Sequence, residues 1–430
     1  MRISRREFLA GAVSLMALSA VPAVALAQGR RPQYVILVDW DGLDPDYLSR
    51  VPTPNLDSLA SRGSLSTISG TYHTISNPSR ASMSTGAYPE THDNAAYIYD
   101  PATNRAQGQS RFLAAETIAQ VLAAEGKTLA SVQWYMVQNY GATYGDPEHL
   151  YVQPGGKFEK RVDAAIEILN QRPVDSGGKM VTVPKIPDFL AVYSSDLDGA
   201  GHENGAESPV VDATLAESDR QLGRLVQATK DVGIYGEVAW LLTSDHGMTS
   251  WNKTLIPQVL TTVTAAGYIP EIVTPGRSPR PETEVIIVPN GVRIGDFTLR
   301  GDAATPEVRE KIKAALEGMA EIERVLDEPD LDALQASEKL GDLVAEARPP
   351  WGFALSEPDA GEFRGSHSSL SEIELPLLLA GAGIHRDVPP QDAGLVDVAP
   401  TIAYLLGVRP PAQAQGRALT ESLGAPGPRG

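Results

Sequence analysis

The sequence predicts an α/β fold in which a mainly parallel central sheet is sandwiched by helices, with a smaller α+β cap inserted in it. Short apolar runs alternate with amphipathic segments through most of the chain, which is the pattern of strands connected by helices. Each apolar run is followed by a turn rich in Gly, Asp or Ser. The 430 residues are 42% hydrophobic, which is enough for one large core.

The individual elements follow from local patterns. Strands are predicted at 34–39, 128–133, 189–194, 238–244 and 377–380. Helices are predicted at 54–62, 117–125, 157–170, 211–231 and 396–406, where apolar residues recur at three- and four-residue spacing. We assign the main domain to residues 28–269 and 362–423.

The pattern changes between residues 270 and 361, and we predict an inserted cap there. Isolated strands are expected at 284–288 and 296–299, followed by a helix at 305–318. The segments 275–281 and 357–361 have the Pro and Gly content of connections. The tail, residues 424–430, is predicted to be disordered.

Residues 1–27 are predicted to be a twin-arginine signal peptide. Arg5 and Arg6 precede a moderately apolar stretch that ends in Ala25-Leu26-Ala27, as in an export signal with its cleavage site. We therefore expect the twin-arginine export machinery as a partner and a periplasmic or secreted product. An N-terminal anchor is the alternative, since the stretch is long enough to span a bilayer. No other stretch of the sequence is apolar enough to cross a bilayer. No stable membrane partner is therefore expected.

The charge balance excludes one class of partner. The chain has a formal net charge of −18. Because phosphate backbones are held by clustered Lys and Arg, no nucleic-acid polymer is expected as a partner. The absence of cysteine is compatible with export, since a core of this size needs no disulfide.

Several segments place Asp or His where a predicted strand ends or in a polar loop, and open α/β sheets form ligand sites after their strands. The segments are Asp41-Gly42, Asp198-Gly199-Ala200-Gly201-His202, Asp245-His246 and Gly365-Ser366-His367. Carboxylates and imidazoles at such positions can converge on one ion, and zinc accepts both ligand types. Each segment taken singly is also explained as a turn or an exposed loop.

Ser76 is the candidate nucleophile. Pro78 suits the first turn of a helix, so Ser76 would lie at a helix N-terminus. Backbone N–H groups and the helix dipole favour an anionic oxygen at that position. A helix cap is the alternative role for this serine.

These segments resemble the alkaline phosphatase superfamily, and most closely its type I phosphodiesterase/nucleotide pyrophosphatase branch. The resemblance extends over nearly the whole chain after residue 27. Besides the first Asp-Gly, the similar pieces are Thr-Gly-Ala-Tyr-Pro-Glu-Thr-His (85–92), Asp-x-x-x-His (198–202), Ser-Asp-His-Gly-Met (244–248), Gly-Ser-His (365–367) and Val-Asp-Val-Ala-Pro-Thr-Ile (396–402). It implies an alkaline phosphatase-like fold and a small-molecule phosphate ester as the substrate, either a phosphodiester or pyrophosphate or a phosphomonoester.

The resemblance also implies two divalent metal ions. It assigns one ion to Asp198, His202 and His367, and the other to Asp41, Asp245 and His246, with Ser76 touching the second ion. Ligation rich in His favours Zn²⁺, with manganese or iron as alternatives. The implied reaction is in-line attack of Ser76 on phosphorus, a covalent phosphoseryl intermediate and hydrolysis by water.

The nucleophile motif departs from this branch. Ser76-Asn77-Pro78-Ser79-Arg80 stands where the branch has Thr-x-Pro-Asn-His, and it is the Ser form of the sulfatase signature, whose first residue can be oxidised to formylglycine. A formylglycine sulfatase or phosphonate monoester hydrolase is therefore an alternative function. A non-catalytic periplasmic protein that binds a metal or a ligand is a third.

Two more residues are candidates for substrate binding. Arg80 could donate to a nonbridging substrate oxygen through its planar guanidinium, or it could lie on a helix surface. Asn94 is a candidate oxyanion donor. Aromatic residues such as Trp134 and Tyr135 could line a leaving-group pocket or pack in the core.

Overall fold

The computed structural model describes residues 31–424, so the predicted signal peptide and all but the first residue of the predicted tail lie outside the described part. A seven-stranded sheet forms its centre. In chain order the strands are β1 (Tyr34–Trp40), β2 (Gly63–Ser69), β3 (Leu129–Val132), β4 (His149–Val152), β5 (Phe189–Ser194), β6 (Val238–Thr243) and β7 (Glu374–Gly381). Their spatial order is β2-β7-β6-β1-β5-β3-β4.

The pairing confirms a mainly parallel sheet. The strands β6, β1, β5, β3 and β4 pair parallel with their neighbours. Strand β7 pairs antiparallel with both β6 and β2, so β2 runs in the same direction as the five parallel strands. All six of these strands therefore end at the same edge of the sheet.

Helices cover both faces of the central sheet. In chain order the helices of the described residues are α1 (Pro45–Arg50), α2 (Pro54–Ala60), α3 (Ser76–Thr85), α4 (Pro89–His92), α5 (Ile118–Ala124), α6 (Phe158–Leu169), α7 (Asp196–Asn204), α8 (Pro209–Asp231), α9 (Ile256–Ala265), α10 (Pro306–Glu317), α11 (Glu328–Ala333) and α12 (Val398–Leu406), of which α9, α10 and α11 pack in the region of the second sheet described below. One core lies between the sheet and α1, α2, α6 and α8. The other lies between the sheet and α3, α5 and α12.

Strand β1 shows why the sheet needs two helical layers. Ile36 and Val38 face one core, whereas Val35 and Leu37 face the other. All four side chains are buried. Because successive side chains of a strand point to opposite faces, a continuous apolar run is buried only between two layers.

The predicted strands and helices of the main domain correspond to β1, β3, β5, β6 and β7 and to α2, α5, α6, α8 and α12. Strands β2 and β4 were not predicted. The edge strand β2 has only two large apolar residues, Leu65 and Ile68, and β4 has only four residues. Neither is long and apolar enough to be separated from a loop by pattern alone.

A second sheet lies in the predicted insertion. Its five strands, in spatial order, are Pro270–Ile272, Val285–Asn290, Ile294–Leu299, Leu343–Ala347 and Ile322–Leu326. Helix α10 packs on it, as the predicted helix at 305–318 would. Helix α9, which precedes residue 270, contributes Val259 and Val263 to the same core. The boundary 270–361 stays a prediction.

Within residues 31–424, no helix combines the length and the apolar character that crossing a membrane requires.

Candidate active site

The carboxyl ends of three adjacent strands bring the candidate acidic residues together. Asp41 follows β1, Asp198 lies in α7 directly after β5, and Asp245 follows β6. Because β6, β1 and β5 are parallel neighbours, their carboxyl ends meet at one edge of the sheet. Open α/β sheets bind their ligands outside this edge.

Gly42 allows the first two of these loops to touch. Its φ of +73° lies in the left-handed region, and a Cβ atom there would come within 2.9 Å of the Cα of Asp198. The Asp198 N–H donates to the carbonyl of Asp41 (3.0 Å), and the Gly42 N–H donates to Oδ1 of Asp245 (3.2 Å). A larger residue at position 42 would therefore separate the carboxylates.

Ser76 reaches the same edge from β2. The chain leaves β2 after Ser69, passes through residues 70–75 and begins α3 at Ser76. The Ser76 hydroxyl lies at the helix N-terminus and 3.2 Å from Nε2 of His246. The predicted placement of Ser76 at a helix start is therefore what the structure shows.

His367 lies in the loop that leads into β7. The preceding strand, Arg364–Ser366, pairs antiparallel with Thr249–Trp251, which follows the loop with Asp245 and His246. Since β7 is antiparallel to β6, its first residue lies at the edge where β6 ends. The loop before it therefore reaches the other candidate ligands.

The first predicted ligand set is compact. Nε2 of His202 lies 3.1 Å from Oδ1 of Asp198, and Nε2 of His367 lies 3.3 Å from Nε2 of His202. Nε2 of His367 is 3.6 Å from the same Asp198 oxygen. These three ligand atoms could coordinate one ion.

The second set adjoins the first. Nε2 of His246 lies 3.4 Å from Oδ1 of Asp41 and 3.2 Å from Oδ2 of Asp245. Ligand atoms of Asp41, Asp198 and His246 also lie within 4.8 Å of one another, so Asp198 belongs to both groups. The structure thus brings all seven predicted metal-site residues to one place.

The three imidazoles are oriented in the same way by main-chain carbonyls. Nδ1 of His202 donates to Gly365 (2.9 Å), Nδ1 of His246 to Gly247 (3.0 Å) and Nδ1 of His367 to Thr74 (2.7 Å). A proton held on Nδ1 leaves the lone pair of Nε2 free for a metal. The orientation therefore suits metal ligation by all three residues.

The carboxylates also fit a metal. Oδ1 of Asp41 and Oδ1 of Asp198 are buried oxygens with no hydrogen-bond partner, and each faces an imidazole Nε2. Buried acceptors are normally paired. A divalent cation between these nitrogen and oxygen atoms would satisfy them, and zinc accepts this donor set.

Arg80 lies beneath the second set. Its guanidinium is fully buried and contacts Asp39 (2.6 and 3.4 Å), Asp41 (3.0 Å), Asp245 (2.9 Å) and the hydroxyl of Tyr135 (2.9 Å). Three of these contacts are hydrogen bonds, two to Asp39 and one to Tyr135. Arg80 therefore lies among three carboxylates, whose charge it can neutralise, and not on a helix surface.

The charges at the second set depend on this guanidinium. Burial opposes the ionisation of Asp41, but Arg80, His246 and Tyr193 together lower its pKa below the ordinary value. Burial dominates at Asp245 and raises its pKa well above the usual range, despite Arg80. Burial also raises the pKa of Asp39 to about 6. Without a cation, part of this carboxylate cluster favours its protonated form, and a bound cation would favour the ionised form that can act as a ligand.

The imidazoles differ in their basicity. Burial lowers the pKa of His246 and, together with the neighbouring imidazoles, lowers that of His367 well below the usual range. At His202, burial is outweighed by the hydrogen bond and charge of Asp198, which raise its pKa to about 9. Neutral His246 and His367 are in the state that binds a metal.

Asn94 is buried, and its amide Nδ2 donates to the carbonyls of Ser110 (3.1 Å) and Phe112 (2.8 Å). Both of its N–H groups thus have acceptors in the protein. The side chain of Asn77 donates to the same Ser110 carbonyl (2.6 Å), so Asn94 lies close to the residue after Ser76. Its proposed role as an oxyanion donor stays a prediction.

The aromatic residues of 95–160 divide between two roles. Trp134 packs in the core against Phe189, whereas Tyr135 reaches Arg80. A cavity of about 1060 Å³ lies farther along, between residues 93–112 and residues 328–342. Ser110 and Phe112 line it, so this cavity begins next to Asn77 and Asn94.

Sequence reasoning missed two contributors to the site. Asp39 binds Arg80, and the hydroxyl of Tyr193 donates to Oδ2 of Asp41 (2.6 Å). Tyr193 is paired in register with Asp39 across β1 and β5. Because side chains of residues i and i+2 share a face, Asp39, Asp41 and Tyr193 share one side of the sheet. The alternation of side chains along these two strands was the sequence signal that could have indicated Asp39 and Tyr193.

The sequence is similar to those of known proteins. Residues 35–370 match the family described as type I phosphodiesterase/nucleotide pyrophosphatase. Human ectonucleotide pyrophosphatase/phosphodiesterase family member 5 is 27% identical over 262 residues, which are 57% of this chain and 51% of that protein. Human bis(5'-adenosyl)-triphosphatase ENPP4 is 22% identical over 400 residues, 88% of this chain and 79% of that protein. This chain thus spans about half the length of the first relative and about four fifths of the second.

Solved structures share the fold. An inactive variant of murine ectonucleotide pyrophosphatase/phosphodiesterase 5 in complex with AMP aligns with a TM-score of 0.66 and 19% identity, covering 88% of this chain and 96% of that one. The human protein of the same name aligns with a TM-score of 0.65 and 19% identity, covering 87% and 95%. Because the family match over residues 35–370 covers most of the chain, the chain belongs to the type I phosphodiesterase/nucleotide pyrophosphatase family, a family of phosphoric ester hydrolases within the alkaline phosphatase superfamily.

Proposed function

We propose that this protein is an exported hydrolase that cleaves small phosphate esters with Ser76 as its nucleophile, at a site that holds two divalent metal ions. The observation that carries the proposal is the position of the Ser76 hydroxyl, 3.2 Å from Nε2 of His246 at the start of α3. A nucleophile needs such a place, where a dipole and neighbouring cations stabilise an alkoxide.

Six side chains besides Ser76 would hold the two ions. Asp198, His202 and His367 fit one ion, and Asp41, Asp245 and His246 fit the other, as their orphaned oxygens and free imidazole nitrogens indicate. When bound, the ions supply the positive charge that favours an ionised hydroxyl and neutralises phosphoryl oxygens. Zinc is the metal we propose, because three imidazoles take part.

The chain's own residues perform the remaining steps. The Ser76 oxygen attacks phosphorus, a phosphoserine ester forms, and the bond to the leaving oxygen breaks on the opposite side. Water then cleaves the phosphoserine, which restores the hydroxyl and releases the second product. Arg80 acts as a positioning residue, since its contacts with Asp41 and Asp245 hold these carboxylates in place for the reaction.

Nucleotide-type phosphodiesters and pyrophosphates are the first substrates to test. The relatives suggest them, since one is named a bis(5'-adenosyl)-triphosphatase and a solved structure contains AMP. The cavity that begins at Ser110 offers room for the second substituent of a diester. We propose the periplasm or the medium as the location, because residues 1–27 have the pattern of a twin-arginine signal.

Substitution of the nucleophile tests the proposal. We expect Ser76→Ala to lower kcat for an aryl phosphodiester by about 10³-fold or more, by analogy with other lost nucleophiles. Acid quenching of the wild-type reaction should trap phosphate on the peptide that contains residue 76. Undiminished turnover by Ser76→Ala would refute the covalent route.

A further inference from the structure

We propose that the turn Asn290–Arg293 of the second sheet is a positioning device for His367, and that Arg293 is its principal residue. The inference rests on the proposed function, because it concerns the affinity of the site for metal. We call residues 290–293 the cap turn and residues 366–372 the His367 loop. The cap turn joins the strands Val285–Asn290 and Ile294–Leu299.

The His367 loop lies between two other segments. On one side, Nδ1 of His367 donates to the carbonyl of Thr74 (2.7 Å), and the Ser368 N–H donates to the Thr74 hydroxyl (3.0 Å). On the other side, the hydroxyl of Ser368 donates to the carbonyl of Asn290 (2.7 Å), and that of Ser366 donates to Gly291. The loop is thus held between the segment that leads to Ser76 and the cap turn.

The cap turn approaches the metal ligand closely. A Cβ atom on Gly291, whose φ is +55°, would lie 2.4 Å from the carbonyl oxygen of His367. The next residue, Val292, forms a β-bridge with His367 and has a φ of +65°. A β-branched residue rarely adopts this conformation, so its presence is a local strain that neighbouring contacts must maintain.

Arg293 adds a buried ion pair to these contacts. Its side chain is fully buried, and its Nε donates to Oε1 of Glu372 (3.0 Å). The other oxygen of Glu372 accepts from the N–H (2.9 Å) and the hydroxyl (2.7 Å) of Ser369, two residues from His367. A guanidinium of the second sheet is therefore connected to the metal ligand by one carboxylate and one serine.

The buried pair of Arg293 and Glu372 is better explained by positioning than by stability. A buried ion pair contributes little net stability compared with apolar residues of the same volume, and Nη2 of Arg293 has no hydrogen-bond partner. What the pair does achieve is a defined position for the His367 loop. Residues that orient metal ligands from outside the coordination sphere typically change metal affinity by about 10–100-fold when they are replaced.

The experiment measures metal affinity rather than turnover. The full-length protein is dialysed against zinc buffered by a chelator series, and bound zinc is counted for the wild type and for Arg293→Met. We expect two ions per wild-type chain and about 10–100-fold weaker binding of one of them in the variant. Lys313→Met is the matched control, because it removes an ion pair with Asp327 in the same part of the chain and should leave both affinities unchanged.

Two further variants show which of the two ions is affected and keep the test valid if Arg293→Met does not fold. In a His202→Ala background only the other ion remains, and adding Arg293→Met should change its affinity much less. If Arg293→Met does not fold, Ser368→Ala, which removes only the hydroxyl contact with Asn290, should weaken the same ion several-fold. Unchanged zinc affinity in a folded Arg293→Met or Ser368→Ala protein overturns the inference. A wild type that binds no zinc would instead overturn the proposed function.

Discussion

Nε2 of His202 and Nε2 of His367 lie 3.3 Å apart although 165 positions separate the two residues in the chain. Each imidazole donates its other nitrogen, Nδ1, to a main-chain carbonyl, so both Nε2 atoms point toward each other and toward Oδ1 of Asp198. A cation shared by these three atoms would take the place of the proton that the raised pKa of His202 indicates at this position. The pair is therefore the clearest mark of a metal site in the described part of the chain.

The two ligand sets should lose metal separately. We expect His367→Ala and Asp41→Ala each to bind about one zinc ion per chain, because each removes a ligand of a different set. Elemental analysis after dialysis checks this. Replacement of His149, whose imidazole pairs with Asp146 away from the site, is the control and should keep full occupancy. Loss of both ions in either variant would show that the sets bind as one unit.

Metal removal should destabilise the protein. Without cations, the carboxylates of Asp41, Asp198 and Asp245 each have one buried oxygen with no hydrogen-bond partner. Ligands that bind only the folded state stabilise it by about 4 kcal/mol at a thousandfold excess over Kd. A chelator should therefore lower the midpoint of thermal unfolding by several degrees, and added zinc should restore it. Unfolding followed by circular dichroism provides the measurement, and identical midpoints would count against resident metal.

The pair of Asp39 and Arg80 should behave as a unit. Arg80→Met leaves Asp39 buried without its partner, and breaking a buried pair in this way costs about 3–5 kcal/mol. The double variant Asp39→Asn with Arg80→Met should recover part of that free energy, since no unpaired charge remains at position 39. Urea unfolding of both variants and of Asp39→Asn completes a double-mutant cycle. Strictly additive effects would contradict the coupling.

Asp296 provides a test of pH dependence away from the active site. Burial raises the pKa of Asp296 to about 7, although the hydrogen bond that the Gly341 N–H donates to its carboxylate opposes this rise. An acid with a raised pKa favours its protonated form in the folded state, so the unfolded chain ionises first as pH rises. Wild-type stability should therefore fall between about pH 4 and 7 relative to Asp296→Asn, by a few kcal/mol.

The measurement for Asp296 is the difference in unfolding free energy at pH 4 and pH 8. Asp302→Asn, which removes the same charge at an exposed position, serves as the control. A parallel pH dependence in the wild type and Asp296→Asn would show that the carboxyl is not perturbed by burial.

The sequence by itself determined much of this protein. The continuous apolar runs of β1, β5 and β6 required two helical layers, since a strand that is apolar on both faces has to be covered twice. Because parallel strands end at one edge, an acidic residue after each of them already indicated where Asp41, Asp198 and Asp245 would meet. These arguments depend on local periodicity and topology, which a single chain displays.

Only the tertiary structure decided the rest. For Arg80 the sequence left a substrate contact and a helix-surface position open, whereas its guanidinium is buried and contacts Asp39, Asp41 and Asp245. Arg293 was not considered at all, since its link to His367 passes through Glu372 and Ser369. Such contacts join positions far apart in the chain. The periodicity of the sequence does not predict which buried charged residues lie next to each other. The tertiary packing determines these pairs, because a buried charge is unfavourable unless an opposite charge lies next to it.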